Sequence, residues 1–332
     1  MTRSGQKALD IRTFSAEELK PSTGSPVEEF SPESAERVAG LVDRFNGIYL
    51  QHPAHKQLFA RLDYLRGLGN VGRGPKLAIR CVGKSSAGKS TALTQYAAIV
   101  HQRAGGREAE RPVLMVKLDR ACTTKRLIAG CLDMYGDEYL ETSVESTLRK
   151  RLYMCIRRFK TELVVIDEIQ HLNFRTSERD DPTDMLKRML DDAVVPLVFA
   201  GDETALPMLK RNIQLANRMI APCDFRPLEK EDPNDAKTFR SFVQRLDQKM
   251  VELEITRGSS NLTDPRTLAC LFAISSGLLG RVINLVRASL EVSARRGADF
   301  IELCDLSAGT RAWAIEQDII AYNPFERGLP DV

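Results

Sequence analysis

The sequence predicts a parallel α/β core followed by a smaller, all-helical C-terminal domain. Three observations predict it. Continuous β-branched apolar runs alternate with stretches of helical period from Lys76 onward, the pattern of a parallel sheet covered on both faces. The strand signal fades near Leu228 while helical periods persist. And 332 residues, 43% hydrophobic and 28% charged, suit roughly two soluble domains rather than a disordered, collagen-like or membrane-spanning chain.

Residues 1–32 carry Ser, Thr, Pro, Gly and Glu with few large apolar residues, and are expected to be a flexible leader or a partner-binding arm. They contain no apolar signal-peptide core. A helical lead-in follows over residues 33–75. Ser31-Pro32-Glu33-Ser34 opens its first helix, which runs to about Tyr49. Its second runs from about Pro53 to Leu68 with Leu58, Leu62 and Leu65 on one face, and Gly67, Gly69, Gly72 and Gly74 end it. The α/β domain is expected over 76–228. Leu77–Val82, Pro112–Leu118, Leu163–Ile166 and Val194–Ala200 read as its strands. Thr91–Ala104, Lys125–Met134 and roughly Val144–Phe159 read as helices, the last with a buried stripe of Leu148, Leu152, Cys155, Ile156 and Phe159. Residues 233–248, 265–276, 279–296 and 303–320 read as the helices of a C-terminal domain over 229–320. A tail, 321–332, carries Tyr322 and Phe325, which either dock on a partner or pack back on their own domain.

The seven cysteines are scattered, odd in number and without a C-x-x-C pair, which argues against a disulfide framework or zinc knuckle and for a reducing, cytoplasmic setting. His52 and His55 form H-x-x-H, but two ligands do not make a metal site. The formal charge of +3 is too small to demand a nucleic-acid partner, so any DNA surface must be a local basic patch.

Gly83-Lys84-Ser85-Ser86-Ala87-Gly88-Lys89-Ser90, with Thr91 next, matches G-x-x-x-x-G-K-[ST] between a strand and a helix. Such a loop aims backbone N–H groups at phosphate oxygens, and the following helix turns its positive end on the same anion. Lys89 is expected at the β- and γ-phosphates and the Ser90 hydroxyl on Mg2+. The apolar strand Leu163–Ile166 ends in Asp167-Glu168. At the carboxyl edge of a parallel sheet Asp167 would help hold Mg2+, and Glu168 would polarise the attacking water as general base. ATP and Mg2+ are the expected ligands.

With the phosphate loop upstream, Asp167-Glu168-Ile169-Gln170-His171-Leu172 resembles the AAA+ ATPases of bacterial transposons, most closely the TniB/TnsC family of transposition regulators. The resemblance covers roughly residues 35 to 320. It implies a five-stranded parallel core, a helical lid over the nucleotide and a site completed between subunits. On that template Asp202 is the candidate for sensing the γ-phosphate, with Thr204 as fallback. Arg218, then Arg211, is the candidate to enter the neighbouring subunit's site. Arg281, which opens the apolar helix after Ser276-Gly277-Leu278-Leu279-Gly280, is the candidate to cover the nucleotide. The resemblance also implies sequence-independent duplex DNA binding by a ring or filament, for which Arg120, Thr123, Thr124, Lys125 and Arg126 are the first candidates. The second basic run, Arg149-Lys150-Arg151 with Arg157, Arg158 and Lys160, reads more readily as a solvated helix face. At 6% aromatic residues the chain makes a poor base-stacking single-strand binder. The expected activity is ATP-dependent regulation of transposition, with a transposase, a target-selection protein and further copies of the chain as partners and no membrane. The alternatives are an AAA+ loader or remodeller and a signalling NTPase that ignores DNA.

Overall fold

The structure, a computed structural model, describes residues 14–22, 32–140, 142–172 and 182–329. Most of the expected leader lies outside them. The chain divides into two compact units, one formed by Met1–His52 together with Pro227–Val332 and the other by Pro53–Arg226. In chain order the helices are α1 (Pro32–Asn46), α2 (Pro53–Val71), α3 (Lys89–Arg103), α4 (Thr124–Tyr135), α5 (Glu145–Arg158), α6 (Pro182–Asp191), α7 (Leu206–Arg211), α8 (Ile213–Ala216), α9 (Pro233–Glu252), α10 (Pro265–Ser275), α11 (Leu279–Arg295), α12 (Leu303–Gly309) and α13 (Pro324–Arg327).

The unit Pro53–Arg226 is built on four parallel strands, β1 (Ala78–Val82), β2 (Val113–Lys117), β3 (Leu163–Asp167) and β4 (Leu197–Gly201), in the order β1-β4-β3-β2. Every residue of β3 and β4 is buried, which is why these segments read as unbroken apolar runs; β2, at an edge, alternates. The expected five-stranded core is corrected here: the described residues form a four-stranded sheet. The fifth position is filled by an irregular segment, Arg218–Phe225. The N–H of Ala78 donates to Arg218 O, and the N–H groups of Ile220, Cys223 and Phe225 donate to Ala78, Arg80 and Val82 O. From Ala78 to Arg80 takes two steps on β1 but three on the segment, so one residue bulges out. Pro222 stands in the bulge and has no N–H to give. Asp224 repairs the ladder with its side chain, Oδ1 accepting from Val82 N at 3.0 Å.

The predicted end of α2 is also corrected. The helix runs through Gly67 and Gly69 to Val71. Glycine weakens a helix, but a Cβ at Gly69 would collide with the Pro196 ring, so its absence there serves packing. His55, Leu58, Leu62 and Leu65 form the buried face of α2.

The other unit is all-helical around a core from α9, α10, α11 and α12 that includes Phe239, Leu246, Ile274, Val286 and Leu306. α1 belongs here through Leu41 and Phe45, so the expected lead-in of residues 33–75 is divided between the units. Phe14 and Phe325 join the same core. Phe14 lies 6.1 Å from Phe325, ring to ring, and Phe325 is fully buried. For the tail this decides in favour of Phe325 packing on its own domain. Arg266 stacks over Phe14 and pairs with Glu18 at 3.0 Å. In the same unit Arg296 donates to Asp305 at 2.8 and 2.7 Å and faces Glu302 at 3.1 Å. Glu302 and Asp305 also form the capping box that starts α12.

Candidate active site

The four strands end on one rim, and the phosphate loop, Asp167, Glu168 and Asp202 meet there around a cavity of about 230 Å3. The loop is held open by backbone geometry. Gly88 sits at φ 89°, ψ 8° as the N-cap of α3. Gly83 is required for space, because a Cβ there would strike the carbonyl of Phe225 in the edge segment. No side chain caps α3, so the N–H groups of its first turn face outward with the positive end of the helix dipole. Lys89 is buried, its Nζ donating to the Gly83 and Lys84 carbonyls at 2.6 and 3.0 Å.

Across the cavity the Ser90 hydroxyl donates to Asp167 Oδ2 at 2.7 Å, while Asp167 Oδ1 accepts the N–H of Glu168 at 2.9 Å. An adjacent hydroxyl and carboxylate are a hard oxygen pair that fits Mg2+, which takes one or two protein oxygens and leaves the remaining positions to phosphate and water. Glu168 follows β3 in a left-handed conformation, φ 57°, ψ 41°, uncommon for a residue with a Cβ. Its carboxylate accepts from Gln170 Nε2, and Gln170 Oε1 accepts from the N–H of Asp202 at 3.2 Å. Gln170 was visible in the acidic motif, but the spacing alone did not reveal that its amide reaches both strand ends.

The remaining candidates fare unequally. Asp202 borders the cavity, yet its Oδ1 accepts the Thr204 N–H at 2.8 Å and the Thr204 hydroxyl, capping the 3-10 turn Glu203–Ala205. A carboxylate there repels a phosphate, so the geometry disfavours the sensor reading and fits the alternative of a plain loop. The helix expected from Arg211 to Arg218 is broken at Asn212, whose Oδ1 caps α8 by accepting from Leu215 N. Arg218, beyond α8, is held at home: its Nε donates to Asp191 at 2.8 Å. Arg211, at the end of α7, is exposed. Arg281 lies half-buried in the first turn of α11.

Of the DNA candidates, Arg120, Thr123, Lys125 and Arg126 are exposed between β2 and the start of α4. Thr124 is corrected: it is 6% exposed and packs inward. Thr123 caps α4, its hydroxyl accepting from Arg126 N, so one N-terminal donor is already satisfied. The second basic run is an ion-paired face, with Arg149 to Glu145, Arg151 to Asp137 and Lys160 to Glu110. The H-x-x-H pair supports no metal: His52 packs on Phe242 and His55 on Phe225, and no group of three or more metal-ligating side chains occurs among the described residues. The cysteines are all free thiols. No single described helix is long and apolar enough to cross a membrane.

Comparison with known proteins supplies two findings. The family model described as "Bacterial TniB protein" matches residues 46–223. Among solved structures the chain is similar to the DNA-bound ORC1 protein of Aeropyrum pernix, at TM-score 0.61 and 16% identity over 83% of this chain and 70% of that one. The ORC2 protein of the same organism, in its ADPNP–ADP complexes, is similar at 0.58 and 15% over 81% and 70%. Cdc6p of Pyrobaculum aerophilum is similar at 0.58 and 13% over 81% and 70%. At identities this low the likeness shows an AAA+-like fold and nothing further. No curated protein matches the chain.

Proposed function

Because the chain belongs to the TniB family of bacterial proteins, we propose that it is an ATP-hydrolysing, DNA-associated regulator of transposition acting in the cytoplasm. The observation that carries the reading is the convergence of Lys89, Ser90, Asp167 and Glu168 on one cavity beneath the uncapped start of α3. The N–H groups of that loop and helix receive the phosphates. Lys89 exchanges its two carbonyl partners for β- and γ-phosphate oxygens. Ser90 and Asp167 would hold Mg2+, which would neutralise charge on the phosphate oxygens. Glu168 orients the attacking water and takes its proton.

In this reading ATP-bound subunits assemble on duplex DNA, recruit a transposase and a target-selection protein, and disperse on hydrolysis. Contact between copies is head-to-tail and runs as a ring or a helical filament. Arg211 is the better placed of the two arginines to reach a neighbour, since Arg218 would first have to leave Asp191. Arg120, Lys125 and Arg126 contact DNA phosphates, while Thr123 stays engaged as the cap of α4. The DNA in the ORC1 structure supports, by analogy of fold, a role on DNA.

The test is ATPase activity with and without duplex DNA for the wild type and Glu168→Gln. The variant is expected to bind ATP, lose roughly 10²- to 10⁴-fold in turnover, and remain on DNA as oligomers visible by electron microscopy. A wild type that neither binds ATP nor assembles on DNA sinks the proposal. Retrieval of a replicative helicase in place of a transposase redirects it to a loader.

A further inference from the structure

The proposed hydrolysis makes no use of Gln170, although its amide touches both sides of the site. Gln170 lies in the short 3-10 turn Ile169–His171 just beyond β3. Nε2 donates to Glu168 Oε2, and Oε1 accepts the main-chain N–H of Asp202, one residue past β4. β3 and β4 are paired neighbours, so one side chain bridges their carboxyl ends.

Two observations mark the bridge as built in. Glu168 adopts a left-handed conformation that is strained for a residue with a Cβ, and in that conformation its carboxylate meets the glutamine amide. The second is Gly201. Its backbone is not left-handed, so conformation does not call for glycine there. Space does: a Cβ would collide with Gln170 Oε1 and lie 2.9 Å from Ile169 Cγ2. The end of β4 is bare where the amide passes.

A carboxylate with one oxygen tied to a neutral donor is restricted in rotation, and its second oxygen is left to the water. A general base works only from such a fixed position, and small displacements cost large factors in rate. We propose that Gln170 is a positioning residue for hydrolysis, setting the orientation of Glu168 and linking it to the loop that begins at Asp202. The inference rests on the ATPase reading above.

Steady-state ATPase kinetics, binding of a fluorescent ATP analogue and thermal melting of Gln170→Ala, Gly201→Ala and the double variant test it. Gln170→Ala is expected to lower kcat roughly ten- to a hundredfold while KM stays within about threefold, with analogue affinity and melting temperature unchanged. Gly201→Ala, which displaces the amide but also crowds Ile169 Cγ2, should lower kcat in the same way, with some loss of melting temperature from the second contact. The double variant should lose little more than either single one, the non-additivity of two changes that remove one contact. Gln170→Glu, which keeps the acceptor but sets a carboxylate against Glu168, should not restore turnover. A kcat for Gln170→Ala at or above wild type overturns the inference. So do additive losses, or a fall in kcat accompanied by equal losses of affinity and melting temperature. A wild type that neither binds nor hydrolyses ATP fails earlier, takes the ATPase reading with it, and is told apart because no variant need be compared.

Discussion

Lys89 and Arg296 are buried cations, one in each unit, and their surroundings differ. Lys89 spends its charge on two backbone carbonyls of its own loop, neutral partners that a phosphate outbids. Arg296 is closed between two carboxylates, doubly bonded to Asp305 and facing Glu302, with all three side chains under a tenth exposed. Burial of charge therefore does not by itself mark a site. A partner that can be surrendered to a ligand does.

The sharpest way to break this contrast is Arg296→Ala, which leaves two carboxylates buried without their cation. It is expected to cost the helical unit about 3–5 kcal/mol. Denaturation followed by Trp313 reports this directly, since the chain's single tryptophan lies in that unit. A loss under about 1 kcal/mol would put the triad on a par with an exposed pair. Next comes acid. Burial, reinforced by the nearby Arg245 guanidinium, lowers the pKa of His52 from 6.5 to about 4. The folded state thus keeps His52 neutral where the unfolded chain takes up a proton. The stability this represents is intact above pH 6.5 and is withdrawn as pH falls towards 4, by up to about 3 kcal/mol. Urea titrations across that window should show the loss in wild type and a flatter slope in His52→Gln.

The third change sharpens the other half of the comparison. Lys89→Ala removes a cation whose present partners are replaceable, so stability should hold while ATP-analogue affinity falls about 10- to 100-fold. A large drop in melting temperature would show that the lysine is structural. The smallest effect is expected at Thr123→Ala, where loss of the α4 cap should cost about 1 kcal/mol and move the DNA-binding salt slope very little, the hydroxyl being already engaged with Arg126.

What could be read from the sequence divides along the same line. Lys89, Ser90, Asp167 and Glu168 were legible because local chemistry fixes them: a loop must carry glycine at Gly88 to turn, and an apolar strand that ends in acids must end at a polar rim. β3 and β4 were legible because burial on both faces removes polar residues from them, and β1 and β2 because apolar residues still dominate strands that each keep one cation. The rest depends on partners distant in sequence. Nothing near Gly69 announces Pro196, so a glycine that serves packing looked like a helix terminator. Val38 and Phe45 give α1 an apolar stripe without naming the unit that covers it. Arg218 stood in a plausible register, but Asp191, which holds it, lies on another helix. The missing fifth strand has its cause in Pro222, whose effect is seen only once Cys223, rather than its neighbour, is found bonded to Arg80.

That bulged segment also governs how sheets of this chain can meet. An open outer strand is a template on which another chain can add, the usual beginning of aggregation. Here the flank of β1 is already occupied by a ribbon that bends at a proline and carries one residue out of step, a poor template for any further strand. Growth by sheet continuation on that flank is blocked, and copies that meet there must do so through side chains, in contacts that can be undone.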